Sequence, residues 1–322
     1  MQQPLVSVII PCHNAEKYIL QTLASVFAQS YTNYEIIVID DGSTDTSYQL
    51  LQDIEHEKLR VFTQENQGPS AARNHGMALA HGKYLQFLDS DDLLLPEKIE
   101  KQVILLETTQ ADVAYGNWFK FETNLAGKEI ISETITKQIE GRAEIAVFIS
   151  FWCPPAVLLY SKKIVDKIGK WNMKLPIIQD ARFLLDAVLQ GGKFVYADDF
   201  VAKYRVHQSG SVSTKSKLNF TKDCYENAKQ VHQLWLLDIQ NGDLAKKDVV
   251  LQVYCQCIRS FANLDLILFE QSIQEVEELF KEKFVPQSPT SLKFLSHLVG
   301  YRKAEKFSSY YRQIKSQIFS YK

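Results

Sequence analysis

No stretch of this chain approaches the roughly 18 consecutive apolar residues that a membrane-crossing helix needs, which excludes a helical transmembrane span. Cysteines are few and scattered, five in 322 residues, and Cys255-Gln-Cys257 lacks the spacing of a zinc knuckle. A disulfide framework is therefore not expected, and the chain reads as a reduced, cytoplasmic protein. The opening MQQPLVSVII has no basic n-region and an apolar run of only strand length, so it is read as a strand and not as a signal peptide. Charge of one sign is lacking too. The net charge of −2 carries no nucleic-acid-binding signature. Two phosphate-binding fingerprints are absent as well. Pro11-Cys12-His13-Asn14, after the first strand, contains no glycine, which argues against a dinucleotide fold, and no G-x-x-x-x-G-K-[ST] appears anywhere.

What is present is an ordinary soluble composition, 46% apolar and 23% charged, long enough for one large domain or two smaller ones. Leu5–Ile10 (LVSVII) is a continuous β-branched run, as expected of a strand buried on both faces of a parallel sheet. A helical pattern follows over Tyr18–Phe27, then a second buried strand at Tyr34–Ile39 that ends in Asp40-Asp41-Gly42-Ser43. Thr46–Ile54 reads as a helix capped by Ser43, Thr44 or Asp45, Leu59–Phe62 as a short strand and Ser70–Ala80 as a helix after the loop Asn66-Gln67-Gly68-Pro69. Strands and helices alternating through short connections predict an open, doubly wound α/β sheet. Ligands of such sheets bind at the carboxyl ends of the strands, where PCHN, DDGS and DSDD gather.

The third of these, in Lys83–Pro96 (KYLQFLDSDDLLLP), organises the rest. An apolar strand runs into Asp89, Ser90, Asp91 and Asp92. Clustered carboxylates at the end of a buried strand raise one another's pKa, and a hard divalent cation with oxygen ligands is the usual compensation. The plainer alternative is a turn in which Asp92 caps a helix starting near Leu93. With no phosphate-binding loop available, phosphate falls to a metal and basic side chains, and Arg73, on the preceding helix, is the natural candidate.

The ordered series PCHNAEKYI, SVFAQSY, YEIIVIDDGSTD and NQGPSAARNHGMALAHGKYLQFLDSDD resembles the inverting family 2 glycosyltransferases with a GT-A fold, over roughly Val6 to Val212. The resemblance implies a Rossmann-like mixed sheet in residues 1–215, with a nucleotide-sugar half (1–115) and an acceptor half (116–215), followed by an appended helical region (216–322). It implies a nucleoside diphosphate sugar donor, UDP-sugar first, with Mg²⁺ or Mn²⁺, and a glycan or lipid-linked glycan acceptor. By position, Pro11 corresponds to the lining of the nucleobase pocket, Asp41 to the carboxylate that reads uracil or ribose, and Arg73 to the basic residue near the nucleotide. Asp89 and Asp91 form the D-x-D, with Asp91 the first choice as metal ligand; Ser90 and Asp92 share the donor site, and Asp92 leaves the register open.

Downstream, Asp112–Asn117 (DVAYGN) resembles the start of the acceptor half, and Ala126-Gly127-Lys128 marks a turn. Trp152, beside two prolines, is read first as a core aromatic and second as a sugar platform. Asp180 opens a helical pattern over Ala181–Leu189; alone it reads as a helix cap, whereas the family places its general base there, in a Glu-Asp pair that this chain renders Gln179-Asp180. Inverting transfer needs such a carboxylate to take the acceptor proton, while a cation neutralises the leaving diphosphate. Tyr204-Arg205-Val206-His207 and Ser211-Val212-Ser213 resemble the segment closing the match, with His207 a candidate for metal or diphosphate and Arg205 for diphosphate.

Beyond Ser213 the pattern is helical over Asn219–Asn241, Leu244–Phe269 and Ser272–Phe284, with the acids of Glu270–Glu282 read as a solvated face. Ser288–Lys322 holds seven Lys/Arg (Lys293, Arg302, Lys303, Lys306, Arg312, Lys315, Lys322) against Glu305 alone. Phe307, Tyr310, Tyr311, Ile314 and Ile318 share one face of its last helix, which suits either peripheral contact with the inner face of a membrane or packing against the catalytic domain. An oligomer is compatible with the sequence. Two rival functions are a phosphohydrolase using Asp89 as nucleophile in a D-x-D-x-T/V-like motif, and a non-catalytic transferase-like scaffold; the first lacks the usual place at the end of the first strand.

Overall fold

A computed structural model describes residues 3–124, 128–207, 216–281, 283–286 and 289–319. The turn expected at Ala126-Gly127 and the Ser211-Val212-Ser213 segment lie outside the described residues. The chain divides into two compact units, Met1–Ser211 and Val212–Lys322.

In the first unit the apolar runs become β1 (Val6–Cys12), β2 (Tyr34–Asp41), β3 (Leu59–Gln64) and β4 (Tyr84–Phe87), paired in parallel in the order β3-β2-β1-β4. Helices α1 (Ile19–Phe27), α2 (Ser47–Gln52) and α3 (Pro69–Leu79) connect them. In α1 the buried residues Ile19, Thr22, Leu23 and Val26 follow the three- and four-residue spacing of a single packed face. Pro11 sits within β1, opposite Ile39 of β2. Strand β4 pairs with β1 only as far as Ile9, so the N–H that proline lacks falls where that neighbour has already ended.

The sheet continues through antiparallel β8 (Leu159–Ser161) to β6 (Val113–Thr123), which pairs in parallel with β9 (Phe194–Arg205) and antiparallel with the outlying β7 (Glu129–Ile135). Helices α4 (Lys98–Thr109), α5 (Ala143–Ile149), α6 (Lys162–Ile168) and α7 (Gln179–Leu189) complete the unit. No helix begins near Leu93. Leu93 and Leu94 instead form β5, paired with Lys203 and Ala202 of β9, and Asp92 caps nothing. Two buried leucines suit a sheet edge, and Pro96 delays the helix until Lys98. Asp180 is not a cap either, since α7 starts at Gln179 and Ile178 holds the cap position. Helix α2 is entered from Thr46 with no side-chain cap bond, although the Asp45 carboxylate accepts from the Ser47 N–H at 2.9 Å.

The second unit is helical: α8 (Lys217–Leu234), α9 (Leu236–Gln240), α10 (Leu244–Leu264), α11 (Leu266–Phe280), α12 (Thr290–Val299) and α13 (Tyr301–Phe319). One expected helix breaks at Asp265, whose extended backbone lets its carboxylate accept from the Ile267 and Leu268 N–H groups and start α11. The acids of α11 are not simply solvated. Glu270 and Glu277 pair with Arg302, Glu270 also with Lys306, and Glu275 accepts from the Tyr225 hydroxyl. The only acid of the basic tail, Glu305, is fully buried against Arg312.

Candidate active site

Three strand ends and two later segments build the site. Asn14, in a left-handed conformation after β1, accepts from the Thr44 N–H at 2.8 Å and donates its own N–H to Ser43 Oγ, so the PCHN and DDGS loops are laced together. Asp41 is buried at the end of β2. Its carboxylate accepts from Gln64 Nε2 (2.7 Å), the Gln67 N–H (3.0 Å) and the Gly68 N–H (2.7 Å), which fastens the loop ahead of α3. Gly68 has φ of +87°, a value that favours glycine, and it lets that loop turn into the helix.

Arg73, 3% exposed on α3, spreads over the Trp171 ring 4.4 Å away and donates through Nη2 to Asp89. Its Nε and Nη1 are buried without a hydrogen-bond acceptor, an expensive arrangement for a guanidinium unless an anion approaches.

The three carboxylates of DSDD part company. Asp89 turns to Arg73. Asp91 Oδ2 lies 2.6 Å from His207 Nε2, and both side chains stay partly exposed. Asp92 turns inward to 1% exposure and accepts the Arg205 N–H through Oδ1 at 2.9 Å, while Oδ2 is buried without a partner. Burial above all, and then the neighbouring Asp91 and Asp89 charges, push its pKa well above the usual carboxylate range. Ser90 belongs to the backbone of this turn, its carbonyl accepting from Thr22 Oγ1 at 2.9 Å.

Arg205 ends β9 and spends its guanidinium on the protein. Nε donates to the Asp91 carbonyl (2.8 Å), Nη1 to Thr123 Oγ1 (2.7 Å) and Nη2 to Gln21 Oε1 (2.6 Å), with the Tyr18 and Phe121 rings on either hand. This places His207, two residues on, beside Asp91.

Asp180 stands in the first turn of α7. Its Oδ2 accepts from Trp152 Nε1 at 2.8 Å and its Oδ1 from the Ala181 N–H at 2.9 Å. Burial raises its pKa; the two hydrogen bonds and the Arg73 charge act the other way, and Asp89 adds to the rise. Gln179 accepts from Ser70 Oγ and so ties α7 to α3.

The sequence model described as glycosyl transferase family 2 matches residues 7–169, half of the chain. The chain belongs to glycosyl transferase family 2. It has a GT-A type fold and an α-helical C-terminal region. An uncharacterized glycosyltransferase of Haemophilus influenzae is 43% identical over 143 residues, which cover 44% of this chain and 56% of that protein. Glycosyltransferase GlyG of Streptococcus pneumoniae is 27% identical over 69% of this chain and 77% of its own length. The Escherichia coli protein WfgD, named UDP-Glc:alpha-D-GlcNAc-diphosphoundecaprenol beta-1,3-glucosyltransferase, is 33% identical over 42% of this chain and 54% of that protein. The match thus spans little more than half of the Haemophilus and Escherichia relatives. In fold, the chain is similar to S. aureus TarS 1-349, solved in complex with UDP-GlcNAc: TM-score 0.65 and 19% identity over 96% of this chain and 91% of that one.

Reasoning from the sequence places Asp41, Arg73, Asp89, Asp91, Arg205, His207 and Asp180 at the site but misses what holds them. Trp152 as donor to Asp180, Trp171 under Arg73, and Gln21 with Thr123 on Arg205 lie 28 to 184 positions from their partners, beyond any local pattern.

Proposed function

We propose that this glycosyltransferase transfers a sugar from a UDP-sugar to an acceptor hydroxyl of a glycan or lipid-linked glycan, with inversion and with Mg²⁺ or Mn²⁺, on the cytoplasmic side. The observation that carries the proposal is the different partners of its carboxylates: Asp91 meets the His207 imidazole, Asp180 the Trp152 indole N–H. The UDP-glucose in the name of WfgD and the UDP-GlcNAc bound by TarS support the choice of donor. The five free cysteines are in keeping with a reducing compartment.

The donor set suits an ion shared with the substrate. Among the described residues no three His, Cys, Asp or Glu side chains converge on one point, so a divalent ion would be held by Asp91 and His207 and completed by diphosphate oxygens. Bound there, it would neutralise charge on the departing diphosphate. Arg73 offers its two unpaired nitrogens to the same phosphates, steadied by Asp89 and Trp171. Pro11 and Asp41 would serve the nucleoside, Asp41 through the loop that it fastens. Arg205 serves the turn first, one protein acceptor engaging each of its nitrogens, and the second N–H of Nη1 and of Nη2 is left for the diphosphate. Asp180 takes the acceptor proton; each of its oxygens keeps a lone pair beyond the donor that fixes it.

Two variants test the division of labour, with release of UDP from a panel of UDP-sugars as the readout. Asp180→Asn is expected to bind UDP within about twofold of wild type while losing 100-fold or more in turnover, in the range that general-base removal costs. Equal loss of both would make Asp180 structural. Asp91→Asn is expected to remove the dependence of turnover and of UDP affinity on added Mn²⁺; a variant that still responds to Mn²⁺ like wild type would refute the metal assignment.

The helical unit adds a membrane contact to this proposal. Phe307, Tyr310 and Tyr311 of α13 are each about two-thirds exposed and share a stripe with Ile314. Phe294 and Leu298 of α12 are equally open. Residues 289–314 expose Lys293, Lys303 and Lys306, the last paired with Glu270, and, among the described residues, no carboxylate of their own, a combination that suits an anionic lipid surface. Replacing Phe307, Tyr310 and Tyr311 together by Ser should abolish sedimentation of the full chain with phosphatidylglycerol vesicles; undiminished sedimentation would leave the stripe without this role.

A further inference from the structure

Trp152 has no task in the mechanism so far, yet its indole N–H meets the one carboxylate assigned to proton transfer. The segment around it is rigid. Phe151 packs edge-on against Tyr115 with ring centres 5.4 Å apart, Cys153 is buried, and Pro154 and Pro155 follow. The indole stands edge-on to Tyr204 at 5.8 Å, on the strand that leads to Arg205 and His207. Trp152 therefore touches the base with its nitrogen and the metal-side strand with its ring. It remains partly exposed.

We propose that Trp152 is the positioning residue of the general base: its N–H fixes the rotation of the Asp180 carboxylate and so aims the free lone pairs at the acceptor. This rests on the assignment of Asp180 as base. The chemistry is specific. A carboxylate on a single Cα–Cβ–Cγ arm rotates readily about its last bond, and the Ala181 N–H, from the residue next to it, restrains only Oδ1. The donor on Oδ2 comes from 28 positions away, so it orients the group relative to the rest of the site. The same bond favours the ionised form that a base requires. The other charged or titratable groups bearing on Asp180 are Arg73 from α3, which also favours ionisation, and Asp89 at the end of β4, which opposes it. Cys153, Tyr160 and Tyr204 of β9 lie close enough to be affected by the Asp180 charge in turn.

A sugar-stacking platform and a hydrogen-bonding post make opposite demands on this position. Phe keeps an aromatic face and removes the donor; Gln or His removes the indole and can restore an N–H. Trp152→Phe is expected to reduce kcat for UDP-sugar turnover about tenfold, with UDP affinity and melting temperature kept. Loss of a donor to the charged form raises the pKa of Asp180, so the acid limb of its pH profile should move to higher pH. Trp152→Gln or Trp152→His should recover part of both losses. If Phe is as active as wild type, or more active than Gln and His with no movement of the acid limb, the proposal is overturned and Trp152 is a platform or a packing residue. Should the variants fold poorly, the indole resonance of Trp152 in ¹⁵N-labelled protein decides: Asp180→Asn is expected to shift it, and an unmoved resonance refutes the contact. Full turnover by Asp180→Asn would fail the base assignment itself, whatever Trp152 does.

Discussion

The bond from the Arg205 N–H to the Asp92 carboxylate is the constraint on which the rest of the site depends. It joins the turn after β4 to the end of β9, 113 positions later, and the Arg205 guanidinium doubles it by holding the Asp91 carbonyl. Burying a carboxylate beside two others is unfavourable in itself, and burial and those two charges push its pKa upward. What offsets it is geometry. With β9 pinned to the turn, and β5 adding two residues of pairing, His207 arrives beside Asp91. The hydrogen bonds of the Arg205 cation, about 1.5–3 kcal/mol each for a charged donor, add to that hold.

From that linkage follows a division of electrostatic work. Three adjacent carboxylates meet three fates: one faces an arginine, one an imidazole, and one turns into the interior. Asp180 takes two neutral N–H donors, while the charges of Arg73 and Asp89 bear on it in opposite directions. A carboxylate stabilised by a strong ion pair would be a poor base, and one buried without donors would remain protonated. Two neutral donors in a buried setting leave it between those limits.

Much of this was legible in the sequence because it is local. The apolar runs before PCHN, DDGS and DSDD define parallel strands, and the polar residues after them can only sit at the carboxyl ends. What escapes is the sense in which each polar residue points. Nothing in Asp89-Ser90-Asp91-Asp92 says that the last carboxylate folds inward, since that depends on Leu93 and Leu94 pairing with Lys203 and Ala202. The same limit makes Leu93 look like a helix start, makes Asp180 look like a cap, and hides the indole N–H of Trp152 within an apolar run. In the helical unit, periodicity locates the helices but not the break at Asp265, where one carboxylate restarts the chain as α11. Nor does it show that the acids of α11 are partners of the basic tail.

The central claim is that one carboxylate acts as a base in a single displacement while the others serve the departing diphosphate. The stereochemistry of the first-formed product tests it most directly. With an α-linked UDP-sugar as donor, proton NMR of the transferred sugar, or of the sugar released to water before it mutarotates, should show the β-anomer alone at early times. An α-anomer appearing first would mean retention, and the assignment of Asp180 as base would have to be abandoned.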